Sequence, residues 1–443
     1  MCSVATQLIS EKIIARYNNW IFIVFCLSTL FILIFSVKAI QSWPPLIGKV
    51  AILLACILPA TMIAFVQVPA YFREKKVPKE ILWALLVFIL GLTSSLLSKN
   101  PLISLKATGL FMATGPLIFV TTIYLFKSTR NQIVFLWMIS LAILCFGTFY
   151  LFYDFINSEG IFYPVIAFSP RNPLPAGASL ILLSTGPIIL LASKRYTFSR
   201  LILVFGLILS IIIIVLLAKK GPILSLIVIF LFWVIFNNIR HLKFLFGLAL
   251  LTGCLLYFSE STLSKYKSVF SLNSSVTLRA ELIFFGIHIF KENPVWGVGS
   301  KTTLNRYIDN YKIKLPENLM PRSNLHDEEV HVIKVENYLH QHFRKFNTFE
   351  NIFLAFLVEM GGLFTIAYFG GLLYIMARCL KSSPFPSKDI EIMSLVSVLV
   401  GFLVISCTFD TLRFPNLNWL FHSLLGLLVN LPQKSFGDHP ETN

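Results

Sequence analysis

Residues 201–238 read LILVFGLILSIIIIVLLAKKGPILSLIVIFLFWVIFNN. Two apolar runs are parted only by Lys219-Lys220-Gly221. A helix needs about 20 apolar residues to cross the hydrocarbon core, and each run approaches that length. The stretch therefore predicts two membrane-spanning helices joined by a tight turn at one face of the bilayer. The pattern repeats outward in both directions. Apolar runs stand at 20–38, 50–69, 81–98, 105–126, 132–153, 175–193, 200–218, 221–238, 243–258, 351–377, 390–408 and 415–431. The expected fold is an all-α polytopic membrane protein with about 12 transmembrane helices. In the run 351–377, Gly361-Gly362 suggests a short helix that breaks and then re-crosses. Composition agrees with this class. Of 443 residues 56% are hydrophobic and only 13% charged, against about 25% charged in soluble proteins. A soluble enzyme, a disordered tail and a secreted disulfide domain are excluded. The seven cysteines form no CxxC and no Cys/His metal spacing.

The charges set the orientation. A net charge of +16 would suggest nucleic acid in a soluble protein; here Lys and Arg orient loops. With a cytoplasmic N-terminus, the inner segments carry Lys12, Arg16, Arg73, Lys75, Lys76, Lys79 and their counterparts to Lys434. These segments hold about twice as many Lys and Arg as the short outer connections. Both termini are thus expected in the cytoplasm, and the first apolar run reads as an anchor rather than a cleaved signal. Residues 1–258 would carry transmembrane helices 1–9, residues 259–349 one large outer loop, and residues 350–443 transmembrane helices 10–12 with a cytoplasmic tail. Of the cations in the short outer connections, Arg171, Lys219, Lys220 and Arg413 lie nearest the outer face. Cations there run against the orientation rule, so they either snorkel or serve a site.

The outer loop contains an amphipathic stretch, Thr277 to Phe290, with Leu282, Phe285 and Ile289 at helical spacing. It predicts a helix on the membrane surface or across the mouth of the bundle. Downstream lie His326, His331, His340 and His342 and the run Asp327-Glu328-Glu329. A loop of this size suits a lid over a membrane-embedded cavity better than an independent domain. There is no P-loop, GxGxxG, GxSxG or HExxH, so the sequence offers no grip for a nucleotide and little for a metal.

Three local patterns carry a resemblance. Leu278-Arg279-Ala280-Glu281 runs into Asn293-Pro294-Val295-Trp296-Gly297-Val298-Gly299. Glu350-Asn351 leads into a leucine-containing helix and Glu359-Met360-Gly361. Leu217-Ala218-Lys219-Lys220-Gly221 forms a cationic turn between two spans. In order and placement these resemble the O-antigen ligase/O-antigen polymerase superfamily, with Ser169-Pro170-Arg171-Asn172-Pro173 similar to a further outer-loop pattern. The chain departs from the family where Lys220 replaces an Arg, losing a bidentate fork for phosphate. It departs again where Glu350 replaces a His before Asn351.

The resemblance implies a broadly GT-C-like glycosyltransferase of the bacterial inner membrane, acting at the periplasmic face. The donor would be a glycan on undecaprenyl pyrophosphate. The acceptor would be a sugar hydroxyl on lipid A–core (ligase), on another lipid-linked glycan (polymerase) or on a protein. No cofactor, metal or nucleic acid is implied. Such transfer needs a base near the acceptor hydroxyl and cations near the departing pyrophosphate. Glu350, His340 and His342 are the candidate bases, and partial burial would strengthen Glu350 in that role. Arg279, Lys220, Lys219, Arg171 and Arg413 are the candidate pyrophosphate ligands, with Arg279 able to form paired hydrogen bonds. Asn351 and Asn172 are supporting residues. Plainer roles stand beside these. Arg279 could anchor an interfacial helix to headgroups, Lys219 and Lys220 could snorkel, Arg171 could serve loop structure, and Glu350 could favour a helix dipole. The histidines could be surface residues, and Pro294, Gly297 and Gly299 read as turn residues. A lipid-linked glycan transporter is the main reading of another class. It would call for internal repeats and ionisable groups at mid-membrane depth, and neither is evident.

Overall fold

A computed structural model describes residues 2–35, 54–64, 78–157, 174–192, 200–217, 219–237, 274–302, 305–308, 311, 341, 349–382 and 390–431. Most of the described residues are helical, with no strand among them. In chain order the helices are α1 (Cys2–Phe35), α2 (Leu54–Ala64), α3 (Lys79–Leu96), α4 (Pro101–Thr114), α5 (Pro116–Leu125) and α6 (Thr129–Asn157). They continue with α7 (Leu174–Leu183), α8 (Thr185–Ala192), α9 (Arg200–Leu216), α10 (Lys220–Asn237), α11 (Ser274–Glu292), α12 (Ile352–Ser382), α13 (Ile390–Ser406) and α14 (Pro415–Asn430). Among the described residues, four helical stretches are long and apolar enough to cross a membrane: Lys79–Leu96, Pro101–Leu125, Leu174–Ala192 and Ile352–Lys381. The described part of every apolar run read as a span is largely helical; the run 243–258 and the ends of several others lie outside the described residues.

The helix at the centre is α14. Nearly all its side chains are buried, polar ones included. In a lipid environment a helix polar group must find a protein partner, so the helix richest in Asn and His takes the inside position. Asn418 Nδ2 donates to the Phe111 carbonyl and to Thr114 Oγ1, both at 2.8 Å. Trp419 Nε1 donates to Thr29 Oγ1 at 3.0 Å, and its ring stacks on Phe25. His422 Nδ1 lies 2.9 Å from the Asn418 carbonyl and Nε2 lies 3.2 Å from the Tyr368 hydroxyl. A carbonyl only accepts, so the Nδ1 position carries the proton and Nε2 accepts from Tyr368. Both ring nitrogens are occupied, which is a structural use of a buried histidine. The α4–α5 span breaks at Gly115, where a Cβ would come within 2.7 Å of the Asn418 amide. That break lets α14 approach closely.

The run 351–377 corrects one expectation. Its helix does break, at Gly361 (φ 83°, ψ 171°), but it does not turn back. Its contacts on α3 advance in order along both helices: Glu359 near Ser94, Met360 near Gly91, Gly371 near Trp83, and Arg378 paired with Glu80. The chain crosses once, antiparallel to α3. The reason lies in the turn 293–299. Breaking a helix frees carbonyls and N–H groups that must be satisfied. Val298 N donates to the Val358 carbonyl at 3.0 Å, Gly299 N to the Glu359 carbonyl at 2.8 Å, and Gly362 N to the Pro294 carbonyl at 2.8 Å. The turn completes the helix, so no reversal is needed.

This contact also explains the glycines of the Pro294–Gly299 pattern. A Cβ on Gly361 would lie 2.1 Å from the Val295 carbonyl oxygen, and one on Gly297 (φ 68°) would lie 2.6 Å from Glu359 backbone. Gly361→Ala is expected to cost about 2–4 kcal/mol, from the positive φ and from the close approach. The check is the thermal midpoint of the detergent-solubilised protein; an unchanged midpoint would overturn this account.

Around the turn sits a second, smaller core of Leu282, Phe285, Ile289, Val298, Phe349, Leu354 and Val358. The amphipathic stretch is indeed a helix, α11, and its three spaced residues are fully buried. They pack on the first half of α12, with Gly286 against Leu354. The opposite face exposes Ile283, Phe284 and Ile287.

Candidate functional site

The start of α12, the turn 293–302, the beginning of α11 and the connection between α13 and α14 meet at one end of the bundle. Here two arginines and three carboxylates converge. Arg279, on α11, places Nε 3.5 Å from Glu350 Oε2, and the two side chains are 38% and 27% exposed. Glu350 sits immediately before α12 with φ 53°, a conformation that non-glycine residues rarely adopt. Such strain persists only where the surroundings hold it. The next residue supplies part of that hold. Asn351 Oδ1 accepts from Phe353 N at 3.0 Å and Leu354 N at 3.2 Å, capping α12. Tyr311 adds a second brace, since its hydroxyl donates to buried Glu281 on α11 at 2.7 Å. Burial first, then the hydrogen bond to Glu281 and its charge, push the Tyr311 phenol well above its ordinary range. It therefore stays a proton donor.

The second arginine is bound more tightly. Arg413 Nη2 pairs with Glu359 Oε1, and its Nε lies 3.6 Å from Asp410 Oδ2. Lys301 N donates to the other oxygen of Glu359 at 3.2 Å. Burial works against the charge on Arg413, but Glu359 and Asp410 outweigh it, and its pKa is raised. Arg413 lines a small cavity of about 30 Å³ with Thr108, Ser300, Lys301 and Met360, room for about one water.

Asp410 is the perturbed acid of this end. Burial pushes it up to about 6; Arg413 opposes the rise, Glu359 and Glu350 add to it, and the Asn351 N–H opposes it. The sign of its effect on stability follows. A folded-state value above the ordinary 3.8 means the native state binds the extra proton between about 4 and 6. Stability should therefore decline as pH rises through that window. Asp410→Asn should flatten this slope and gain stability above pH 6 relative to the parent chain. Thermal midpoints from pH 4 to pH 8 give the test, and parallel curves for the two proteins would overturn it.

Sequence reasoning named several members of this cluster and missed others. Arg279, Glu350, Asn351 and Arg413 are brought to one end. Lys219 and Lys220 are exposed at the start of α10. A Cβ on Gly221 would lie 2.5 Å from Thr408 Oγ1, which sets the lysine pair beside the connection bearing Asp410 and Arg413. Arg171, Asn172, His340 and His342 lie outside the described residues. Asp410 and Glu359 were not singled out as site residues. The available signal was an Asp and an Arg three apart, between two apolar runs. Among the described residues no group of three or more His, Cys, Asp or Glu is placed to hold a metal ion.

Chemically, the cluster joins half-exposed Arg279 and Glu350 to a buried Arg413–Glu359–Asp410 knot. The outer pair can meet a substrate; the inner knot holds the geometry. Residues 205–369 match the family model described as O-antigen ligase. The resemblance drawn from Arg279, the turn 293–299 and Glu350-Asn351 therefore stands over that stretch. No curated protein matches the chain.

Proposed function

We propose, from the match of residues 205–369 to the O-antigen ligase family, that this membrane protein transfers a glycan from undecaprenyl pyrophosphate to a sugar hydroxyl of lipid A–core. The observation that carries the reading is the half-exposed Arg279–Glu350 pair inside the matched stretch. In the proposed reaction Glu350 takes the proton of the acceptor hydroxyl as its oxygen attacks the anomeric carbon. The bond to the pyrophosphate oxygen breaks, and the leaving group departs with its charge. Arg279 meets that charge with paired hydrogen bonds, assisted by exposed Lys220 and Lys219. His340 and His342 remain alternative bases, and Arg171 and Asn172 alternative ligands, from the unmatched or undescribed loops. Arg413 faces two carboxylates, which suits it to positioning Glu359 and the turn 293–302 as much as to phosphate.

In this reading the cluster faces the periplasm and both termini lie in the cytoplasm. The positive-inside bias supports it, as does the gathering of Lys79, Lys127, Arg130, Arg378 and Lys381 on the opposite side of the bundle.

Deleting the gene in its host tests the reading. Polymer missing from lipid A–core and accumulating on the lipid carrier is the expected result. Lipopolysaccharide capped with a single repeat would assign a polymerase instead. Normal lipopolysaccharide with an altered glycoprotein would move the acceptor to protein. Glycan trapped on the cytoplasmic leaflet would sink the transferase and leave a transporter.

A further inference from the structure

Away from the carboxylate–arginine cluster, near the other end of α3 and α12, the two helices leave an open groove of about 340 Å³ between them. Trp83 forms one wall. Its indole Nε1 donates to the Ala367 carbonyl at 2.8 Å, which fixes the ring. Gly371 lies against that ring, while a Cβ on neighbouring Gly370 would meet nothing within 4 Å. Ile366 and Tyr374 complete the apolar lining and are 73% and 52% exposed. Both helices are apolar enough to span a membrane, so a groove that opens sideways here faces lipid tails rather than water.

The lip of the groove is polar. Glu80 is buried and paired with Arg378, so its charge is met within the protein. Lys79 is exposed beside it, and Lys381 stands exposed on the same end of α12. An apolar slot beneath a cation matches a molecule with a hydrocarbon tail and an anionic head. The Trp83 and Tyr374 rings are suited to the level where the two join.

We propose that this groove holds one anionic phospholipid, with an acyl chain along Gly370 and Trp83 and its phosphate against Lys79. Lipid tails are as apolar as the side chains that replace them, so burial gives the site little selectivity. Shape retains the chain, and charge selects the head. A single Lys at a membrane surface supports a preference of about five-fold for an anionic over a zwitterionic head. The site is separate from the transferase reading, and neither depends on the other.

The full-length chain, extracted in mild detergent, is incubated with equal amounts of phosphatidylglycerol and phosphatidylethanolamine, and retained lipid is weighed by native mass spectrometry. One phosphatidylglycerol is expected to be retained in about five-fold preference. Gly370→Leu projects from a position where a Cβ meets no neighbour, and should remove the retained lipid while leaving the thermal midpoint in lipid-free detergent no lower than the parent's. Lys79→Ala should keep a lipid but lose the preference. Equal retention of the two lipids by the parent chain would overturn the proposal, as would undiminished retention by Gly370→Leu. Displacement of phosphatidylglycerol by polyprenyl phosphate would overturn the assigned occupant.

Discussion

Arg279→Ala is expected to lower the rate of glycan transfer about 10²–10³-fold, the loss typical of removing one aimed donor at a site of developing charge. Arg279 is the arginine of the cluster with a single ion-pair partner among the described residues, at 3.5 Å, and with more than a third of its side chain open. An arriving pyrophosphate can compete with Glu350 for it. Arg413, at 13% exposure and facing two carboxylates, has no such freedom. Arg279→Lys should recover only part of the rate, because an ammonium restores the charge and not the paired hydrogen bonds. The measurement is transfer in membranes supplied with lipid-linked glycan and lipid A–core, with donor KM and kcat determined separately. If Arg279 only anchors α11 to headgroups, the lysine variant will match the parent and both constants will be unmoved.

Glu350→Gln is expected to cost about 10²–10⁴-fold in kcat, the range for a lost general base, with donor KM little changed. Gln keeps the size of Glu350 but cannot take a proton. Paired substitution of His340 and His342 decides the competing assignment. A kcat that falls for the histidine variants but not for Glu350→Gln would move the base to the loop. Equal thermal midpoints for the parent and Glu350→Gln are part of the expected result, since the strained backbone at this position is held by Asn351 and α12 rather than by the carboxylate.

The site was legible where its chemistry is local. Arg279, the turn 293–299 and Glu350-Asn351 are continuous patterns, and the structure brings them together. Asp410 and Glu359 were not legible as site residues because their importance comes from what faces them. Glu359 sits in an apolar helix, and only the break at Gly361 and the incoming Arg413 and Lys301 N–H reveal why a carboxylate is there. Gly361-Gly362 suggested a helix that turns back. The glycines do break the helix, but the partners that carry it onward lie about 60 residues earlier in the chain.

By itself the sequence determined the helical class, the approximate extent of the apolar runs, the buried stripe of α11 and the likeness of residues 205–369 to the O-antigen ligase family. These follow from period, length and local pattern, which act over a turn or two of chain. Tertiary structure alone decided that α14 lies at the centre, that α12 crosses once, and that each arginine of the cluster is matched by a carboxylate. Such outcomes depend on which polar groups satisfy one another when water is excluded, and those partners are distant in sequence.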